Sequence, residues 1–335
     1  MRNIDNCIIF GLSNGYEYAK EVSKATNINL GTIKTTRFAD GEILVKSGST
    51  VRGKDVFIFQ STCNPVNDNL MELLIAIDSL KRASANSITV IIPYYGYARQ
   101  DRKAKGREPI TCKLVANFIE NSGATKVILA DIHSEQTQGF FNVPVDTLRA
   151  SSVLLNEFMK EYEGEEICSV APDYGAVKKA RDISEHLNIG LAIVDKRRPK
   201  PNVVEVSNVL GDVKNKHCII VDDMIDTGGT VLSNTKLLRE HGASKITVFA
   251  THGVFSNNAI EKFKRAIHEG DIDGLYVSDT IPNNLKISHK GIYVISLSKF
   301  FADVISAQIN HQSVSEIYEK YWNSVCYSCT VKRKK

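Results

Sequence analysis

Short apolar runs rich in valine and isoleucine alternate with amphipathic segments along most of the chain, and this alternation narrows the fold more than any other feature. Runs at 7–10, 55–60, 88–92, 127–130, 167–171, 191–194, 218–221, 246–250 and 292–295 are too short for helices and read as buried strands. Helical patterns lie between them, at 69–83, 110–121, 150–162, 175–187 and 230–241. Strands in a parallel sheet are covered by helices on both faces, so they read as near-continuous apolar runs. The pattern therefore predicts an α/β architecture of doubly wound parallel sheets. The segment Leu70-Met71-Glu72-Leu73-Leu74-Ile75-Ala76-Ile77 is almost wholly apolar, which predicts a buried helix.

The chain has 335 residues, enough for about two domains and a sizeable core. A faint internal echo points the same way. Ile92-Pro93-Tyr94-Tyr95-Gly96 follows one run, and Ala171-Pro172-Asp173-Tyr174-Gly175 follows another. Leu129-Ala130-Asp131-Ile132-His133 and Val221-Asp222-Asp223-Met224-Ile225 end two more. Two related halves joined near residue 150 would explain the echo; similarity between generic strand–loop units is the other explanation. The expected division is 1–150, 151–305, and a C-terminal helix with a basic tail at 306–335.

Net charge is +4, and the last four residues, Lys332 to Lys335, are all basic. Without them the body is formally neutral, which argues against a nucleic-acid-binding surface. No apolar stretch reaches the roughly 18 residues of a membrane span. No apolar signal region precedes Gly11. The seven cysteines are odd in number and mostly dispersed, as reduced thiols of a cytoplasmic protein are. Cys326-Tyr327-Ser328-Cys329 lacks a second pair and reads as small residues near a frayed end.

The chemistry concentrates in Cys218-Ile219-Ile220-Val221-Asp222-Asp223-Met224-Ile225-Asp226-Thr227-Gly228-Gly229-Thr230. A strand ends in two acids, a short loop follows, and a helix opens. The loop from Asp226 to Thr230 suits a phosphate: glycines let backbone N–H groups approach, hydroxyls donate, and a helix N-terminus adds positive potential. Asp222 and Asp223 would repel a phosphate but accept hydrogen bonds from a vicinal diol. A ribose 5-phosphate moiety satisfies both ends. Two basic loops, Arg99 to Arg107 and Lys196 to Lys200, directly follow apolar runs and offer cations for a polyphosphate. The chain has no P-loop and no protein-kinase motif set.

The Val221-to-Thr230 stretch resembles the signature of proteins with the type I phosphoribosyltransferase fold. Further stretches resemble the phosphate-activated class of ribose-phosphate diphosphokinase: Arg37-Phe38-Ala39-Asp40-Gly41-Glu42, Tyr94 to Arg102, Asp131-Ile132-His133, Gln138-Gly139-Phe140-Phe141, and Asp195-Lys196-Arg197-Arg198-Pro199. They occur in the family's order, from about residue 5 to about residue 320. The resemblance implies two tandem domains of that fold. The first would carry ATP binding and the subunit interface, and the second the ribose 5-phosphate site and catalytic loop. It implies that ATP and ribose 5-phosphate give AMP and 5-phosphoribosyl 1-diphosphate, for nucleotide, histidine and tryptophan precursors.

By the same resemblance, Asp40, Gly41 and Glu42 contact the nucleotide from a neighbouring subunit, and Arg99 and Gln100 bind ATP. His133 and Asp173 match Mg²⁺-ATP positions. Lys196 and Arg198 match the catalytic loop, where they would neutralise charge on the transferring group. Arg198, Asp222, Asp223, Asp226, Thr227, Gly228, Gly229 and Thr230 would hold ribose 5-phosphate. Arg52, Ser84, Arg107, Ser313 and Ser315 match a regulatory phosphate or ADP site; Ser313 also reads as a helix cap with Glu316 as its capping-box partner. Inorganic phosphate as activator and a homohexamer are implied too. Gly228 stands where alanine is frequent and is expected to loosen the loop slightly. Tyr174 and Ala176 depart from the family's small residues beside Asp173. A phosphoribosyltransferase would leave the Arg37–Glu42 and Tyr94–Arg102 motifs without a role. A non-catalytic regulatory homologue should have lost positions such as Lys196 or Asp173, and a DNA-binding regulator would need an added helix-turn-helix.

Overall fold

The computed structural model describes residues 4–197 and 206–333. It divides into two compact units. One comprises Met1–Arg149, Thr280–Pro282 and Ser296–Ile317; the other comprises Ala150–Asp279, Asn283–Ile295 and Tyr318–Lys335.

The first unit opens with β1 (Cys7–Gly11), α1 (Tyr16–Thr26) and the short β2 (Asn29–Leu30), followed by a hairpin, β3 (Ile33–Arg37) and β4 (Ile43–Ser47). Then come β5 (Asp55–Phe59), α2 (Val66–Arg82), β6 (Ser87–Ile92), α3 (Thr111–Ser122), β7 (Lys126–Ala130) and β8 (Val145–Leu148). Six strands form a parallel sheet in the order β2-β1-β5-β6-β7-β8, and β3 and β4 pair antiparallel outside it. Alternate residues point to opposite faces. Ile8, Phe10, Ile58, Val90 and Ile92 pack with Leu73, Ile77 and Leu80 of α2. Ile9, Phe57, Phe59 and Ile91 point the other way and are also buried.

The second unit runs α4 (Ser151–Glu161), β9 (Ile167–Ala171), α5 (Val177–Leu187), β10 (Gly190–Arg197), β11 (Val206–Leu210), β12 (His217–Ile225) and α6 (Gly229–Glu240). It continues through β13 (Lys245–Gly253), α7 (Ala259–His268), β14 (Gly274–Ser278) and β15 (Ile292–Ile295). Its sheet order is β11-β10-β9-β12-β13-β14-β15, parallel except for β11. All nine apolar runs read from the sequence fall on strands of the two sheets. In each sheet the strand order reverses beside the first strand. That switch point, where ligands of such sheets bind, lies between β1 and β5 in one and between β9 and β12 in the other.

Two helices close the chain, α8 (Ser298–Ile309) and α9 (Val314–Arg333). The expected second domain ran to residue 305, yet α8 groups with the first unit. Phe301 packs edge-on to Tyr18 and Phe59, at centroid distances of 5.3 and 5.8 Å, and so helps cover the second face of the first sheet. The segment around Cys326 and Cys329 is not frayed but helical, within α9. From Tyr318 onward α9 belongs to the second unit. Trp322 stacks on His186 at 4.3 Å, Ser324 donates to Asn156 at 3.0 Å, and the Cys326 thiol donates to the His186 carbonyl at 3.1 Å. Val325 and Cys329 are buried against Leu155 and Phe158. Cys326 and Cys329 are therefore packing residues, and burial pushes the Cys326 thiol pKa up. Val325→Ala is expected to cost about 2 kcal/mol, read as a lower urea midpoint with an unchanged slope. All seven cysteines are free thiols. Among the described residues no helix is long and apolar enough to cross a membrane.

His217, at the start of β12, is only 5% exposed. Its Nε2 pairs with Thr247 Oγ1 at 2.8 Å, and Phe158 stands edge-on 5.3 Å away. Burial pushes its pKa down to about 4, against a weaker opposite pull from Glu165 and Asp273. The unfolded chain therefore binds a proton between pH 6.5 and about 4 that the folded chain refuses. The stability this group contributes is complete above pH 6.5 and is lost as pH falls toward 4. Between pH 7 and 5 the loss is about 2 kcal/mol. His217→Gln should flatten the fall of the urea midpoint over that range by this amount; an unchanged slope would contradict it.

Candidate active site

In the second unit the parallel register pairs Ile220 with Val170 and Ala171 with Ile193. Asp222 and Asp223 of β12, Asp173 after β9, and Asp195 and Lys196 of β10 therefore gather at one edge, the carboxyl end of the sheet. Sequence separation hides this convergence, and strand order creates it. Asn234 of α6, fully buried, donates to the Pro172 carbonyl at 2.8 Å, which ties α6 to the residue before Asp173.

Asp222 and Asp223 are half-buried, and the Asp223 backbone N–H donates to Asp222 Oδ1 at 2.8 Å. Burial first, and the neighbouring Asp223 carboxyl second, push the Asp222 pKa up to about 7; Lys179 of α5 opposes them. The pair thus offers acceptors suited to hydroxyl donors and unsuited to a second anion.

The loop from Asp226 to Thr230 turns the chain from β12 into α6. Gly228 sits at φ +76° as the N-cap of α6. A Cβ there would stand 2.6 Å from the Phe263 ring, so Gly228 does more than loosen the loop: it admits a left-handed turn against a packed aromatic. Nothing lies within 4 Å of a Cβ at Gly229, which leaves the backbone at the helix start open to a ligand. Lys262 Nζ donates to the Thr227 carbonyl at 3.3 Å and brings a cation to the loop. Thr227 and Thr230 are exposed, and Asp226 is half-buried.

Asp173 is exposed, and its Oδ1 accepts the Ala176 N–H at 3.1 Å, capping the short turn Tyr174–Ala176. The unexpected Tyr174 points outward, 59% exposed. Lys196 is the penultimate residue of β10, where its backbone pairs with Ser207 of β11. Arg198, with Pro199, Pro201 and Asn202, lies outside the described residues.

The other expected site residues lie in the first unit. Asp40, Gly41 and Glu42 form the exposed turn of the β3–β4 hairpin, with Gly41 at φ +96° and Asp40 Oδ1 accepting the Glu42 N–H at 3.1 Å. Arg99 and Gln100 are exposed after β6, where Gln100 Oε1 accepts the Thr111 hydroxyl at 2.6 Å. His133 is exposed after β7. Arg52 donates to Ser84 Oγ at 3.3 Å, so these two of the residues expected at a regulatory site lie in contact. Arg107 is exposed in its loop, and Ser313 and Ser315 are exposed at the start of α9. Among the described residues no three His, Cys, Asp or Glu side chains gather into a metal cluster. Sequence reasoning missed Lys179 and Lys262, cations on α5 and α7 that carry no motif. It also passed over Glu72, the one charge in the apolar run of α2.

Comparison with known proteins gives a consistent answer over most of the chain. A family model described as the N-terminal domain of ribose phosphate pyrophosphokinase matches residues 7–123, and one described as a phosphoribosyl synthetase-associated domain matches 197–319. The ribose-phosphate pyrophosphokinase of Mycoplasma pneumoniae is 52% identical over 316 residues, covering 94% of this chain and 96% of its own. That of Fusobacterium nucleatum is 45% identical over 95% of this chain and 100% of its own. The crystal structure of phosphoribosylpyrophosphate synthetase from Mycobacterium smegmatis superposes with a TM-score of 0.84 at 39% identity, covering 91% of this chain and 99% of its own. With the fold, the motif order and the near-complete coverage in agreement, this chain belongs to the ribose-phosphate pyrophosphokinase family.

Proposed function

We propose that the protein transfers the β,γ-diphosphoryl group of Mg-ATP to the 1-hydroxyl of ribose 5-phosphate, releasing AMP and 5-phosphoribosyl 1-diphosphate. The carrying observation is the Asp222-Asp223 pair set directly before the Asp226–Thr230 loop at the switch point of the second sheet. The loop and the open start of α6 take the 5-phosphate, and the carboxylates take the 2- and 3-hydroxyls. This leaves the 1-hydroxyl free to attack the β-phosphorus in line. Lys196 and Arg198 stabilise charge on the diphosphoryl group as the bond to AMP breaks, with no covalent intermediate. Asp40, Gly41, Glu42, Arg99 and Gln100 hold the nucleotide.

Magnesium prefers oxygen ligands, keeps several waters, and needs only one or two carboxylates beside substrate phosphates. Asp173 fits that demand: it is an exposed carboxylate at the same sheet edge as Asp222. A His133 nitrogen suits this ion poorly, and its assignment rests on the resemblance alone. Bound to the triphosphate, magnesium would offset charge on the β- and γ-oxygens. The Arg52–Ser84 contact supports an anion site for activating phosphate. Ile110, just before α3, and Leu114 and Phe118 on it expose an apolar stripe at four-residue spacing, which supports self-association.

Ribose 5-phosphate labelled with ¹⁸O at the 1-hydroxyl tests the mechanism. Attack by the sugar oxygen keeps the label in the bridge between C1 and the diphosphate. Displacement at C1 would lose it and contradict the reading.

A further inference from the structure

The switch-point crevice of the first sheet, which in the second unit carries the proposed sugar site, is filled by the chain's own side chains. At its centre is Glu72 of α2, 3% exposed. Its Oε1 accepts the Ser13 hydroxyl, from the loop after β1, at 2.7 Å, and the Thr35 hydroxyl, from β3, at 2.5 Å. Its Oε2 accepts Gln60 Nε2, just after β5, at 2.7 Å. Gln60, itself fully buried, is fixed in turn by the Asn14 N–H at 2.9 Å. The backbone closes tightly here as well: a Cβ on Gly15 would stand 2.0 Å from the Phe59 carbonyl oxygen.

No cation pairs with Glu72 among the described residues. A buried carboxylate that lacks a cation depends on each neutral donor it has. One of its three donors comes from the hairpin. A two-stranded hairpin is marginal by itself, and this one joins no sheet. One turn earlier on α2, Asp68 accepts Arg37 Nη2 at 3.0 Å, and Arg37 Nη1 reaches the Gly41 carbonyl at 3.1 Å. That ion pair is half-exposed on both sides, so it steers more than it anchors.

We propose that Glu72 is a positioning residue for the nucleotide half of the reaction: through Thr35 it anchors the β3–β4 hairpin, so that the Asp40–Glu42 turn is held in one binding-competent pose. The inference rests on the nucleotide reading of that turn. Without the anchor the competent pose becomes a fraction of the ensemble, and apparent affinity falls by that fraction.

The test uses Thr35→Val, Thr35→Ser and Glu72→Gln in the full chain, with Asp40→Ala as control. Thr35→Val keeps the side chain's shape and the Val45 packing of the hairpin, so it stays informative even if Glu72→Gln fails to fold. Thr35→Val is expected to raise KM for ATP about tenfold and to change kcat and KM for ribose 5-phosphate by less than about twofold. It should also speed hydrogen exchange across residues 33–47, and Thr35→Ser should restore both readouts. Unchanged exchange in Thr35→Val would overturn the anchor. A parallel rise in both Michaelis constants would overturn the positioning role. Faster exchange in Thr35→Val combined with an unchanged KM for ATP in Asp40→Ala would overturn the nucleotide reading of the turn instead.

Discussion

Lys196→Ala is expected to lower kcat by about 10²–10³-fold while leaving the dissociation constant for ribose 5-phosphate within about twofold. The argument is one of timing. The diphosphoryl group gains its exposed charge only as the bond to AMP breaks, so a cation aimed at it acts in the transition state and not on the bound sugar. Lys196 is the penultimate residue of a strand beside β9, whose carboxyl end leads to Asp173, whereas the contacts proposed for the sugar come from β12, the loop after it and α6. Calorimetry gives sugar binding, and the steady state gives turnover. Equal losses in both would mean that Lys196 holds substrate in the ground state.

Asp222→Asn is expected to raise KM for ribose 5-phosphate by up to about 10²-fold and to leave KM for ATP nearly unchanged, because hydrogen bonds to a charged acceptor contribute about 1.5–3 kcal/mol. A pH signature accompanies it. With its pKa pushed up to about 7, Asp222 is ionised above neutrality and protonated below. In the proposed site the ionised form accepts from the diol, and the protonated form has lost part of that capacity. KM for ribose 5-phosphate should therefore rise as pH falls from 8 to 6. Asp222→Asn, measured in the same buffers so that the sugar phosphate's own titration cancels, should lose this component. A variant that keeps the full pH dependence would remove Asp222 from diol recognition.

What could be read from the residues, and what could not, follows from where the forces act. The parallel strands were legible because helices cover both faces: Val-Ile-Leu-Ala in β7 and Ile-Ile-Val in β12 carry no polar alternation to confuse them. The hairpin was not, since Ile33-Lys34-Thr35-Thr36-Arg37 is largely exposed and carries little apolar signal. Strands β8 and β14 are short and sit beside glycine, aspartate or proline, so they escaped too. Helix α8 misled for a different reason: chain order joined it to its neighbours in sequence, whereas Phe301 follows the aromatic pair Tyr18 and Phe59.

The site divides in the same way. Asp222 to Thr230 is one continuous strand–loop–helix, and the need for glycine and paired acids is local. Asp173 and Lys196 reach the same edge only through the sheet order β10-β9-β12, which no linear pattern encodes. Glu72 did leave a trace, the lone charge within the apolar run Leu70–Ile77 of α2. Its meaning appears only when Ser13, Thr35 and Gln60 arrive from three other segments.

The most direct test of the account is the identity of the nucleotide product. The protein is incubated with ATP, Mg²⁺, inorganic phosphate and ribose 5-phosphate, and the nucleotides are resolved. AMP that forms in step with 5-phosphoribosyl 1-diphosphate, and only when ribose 5-phosphate is present, is the predicted result. ADP as the sole product would mean that a single phosphoryl group moves, and would contradict the account.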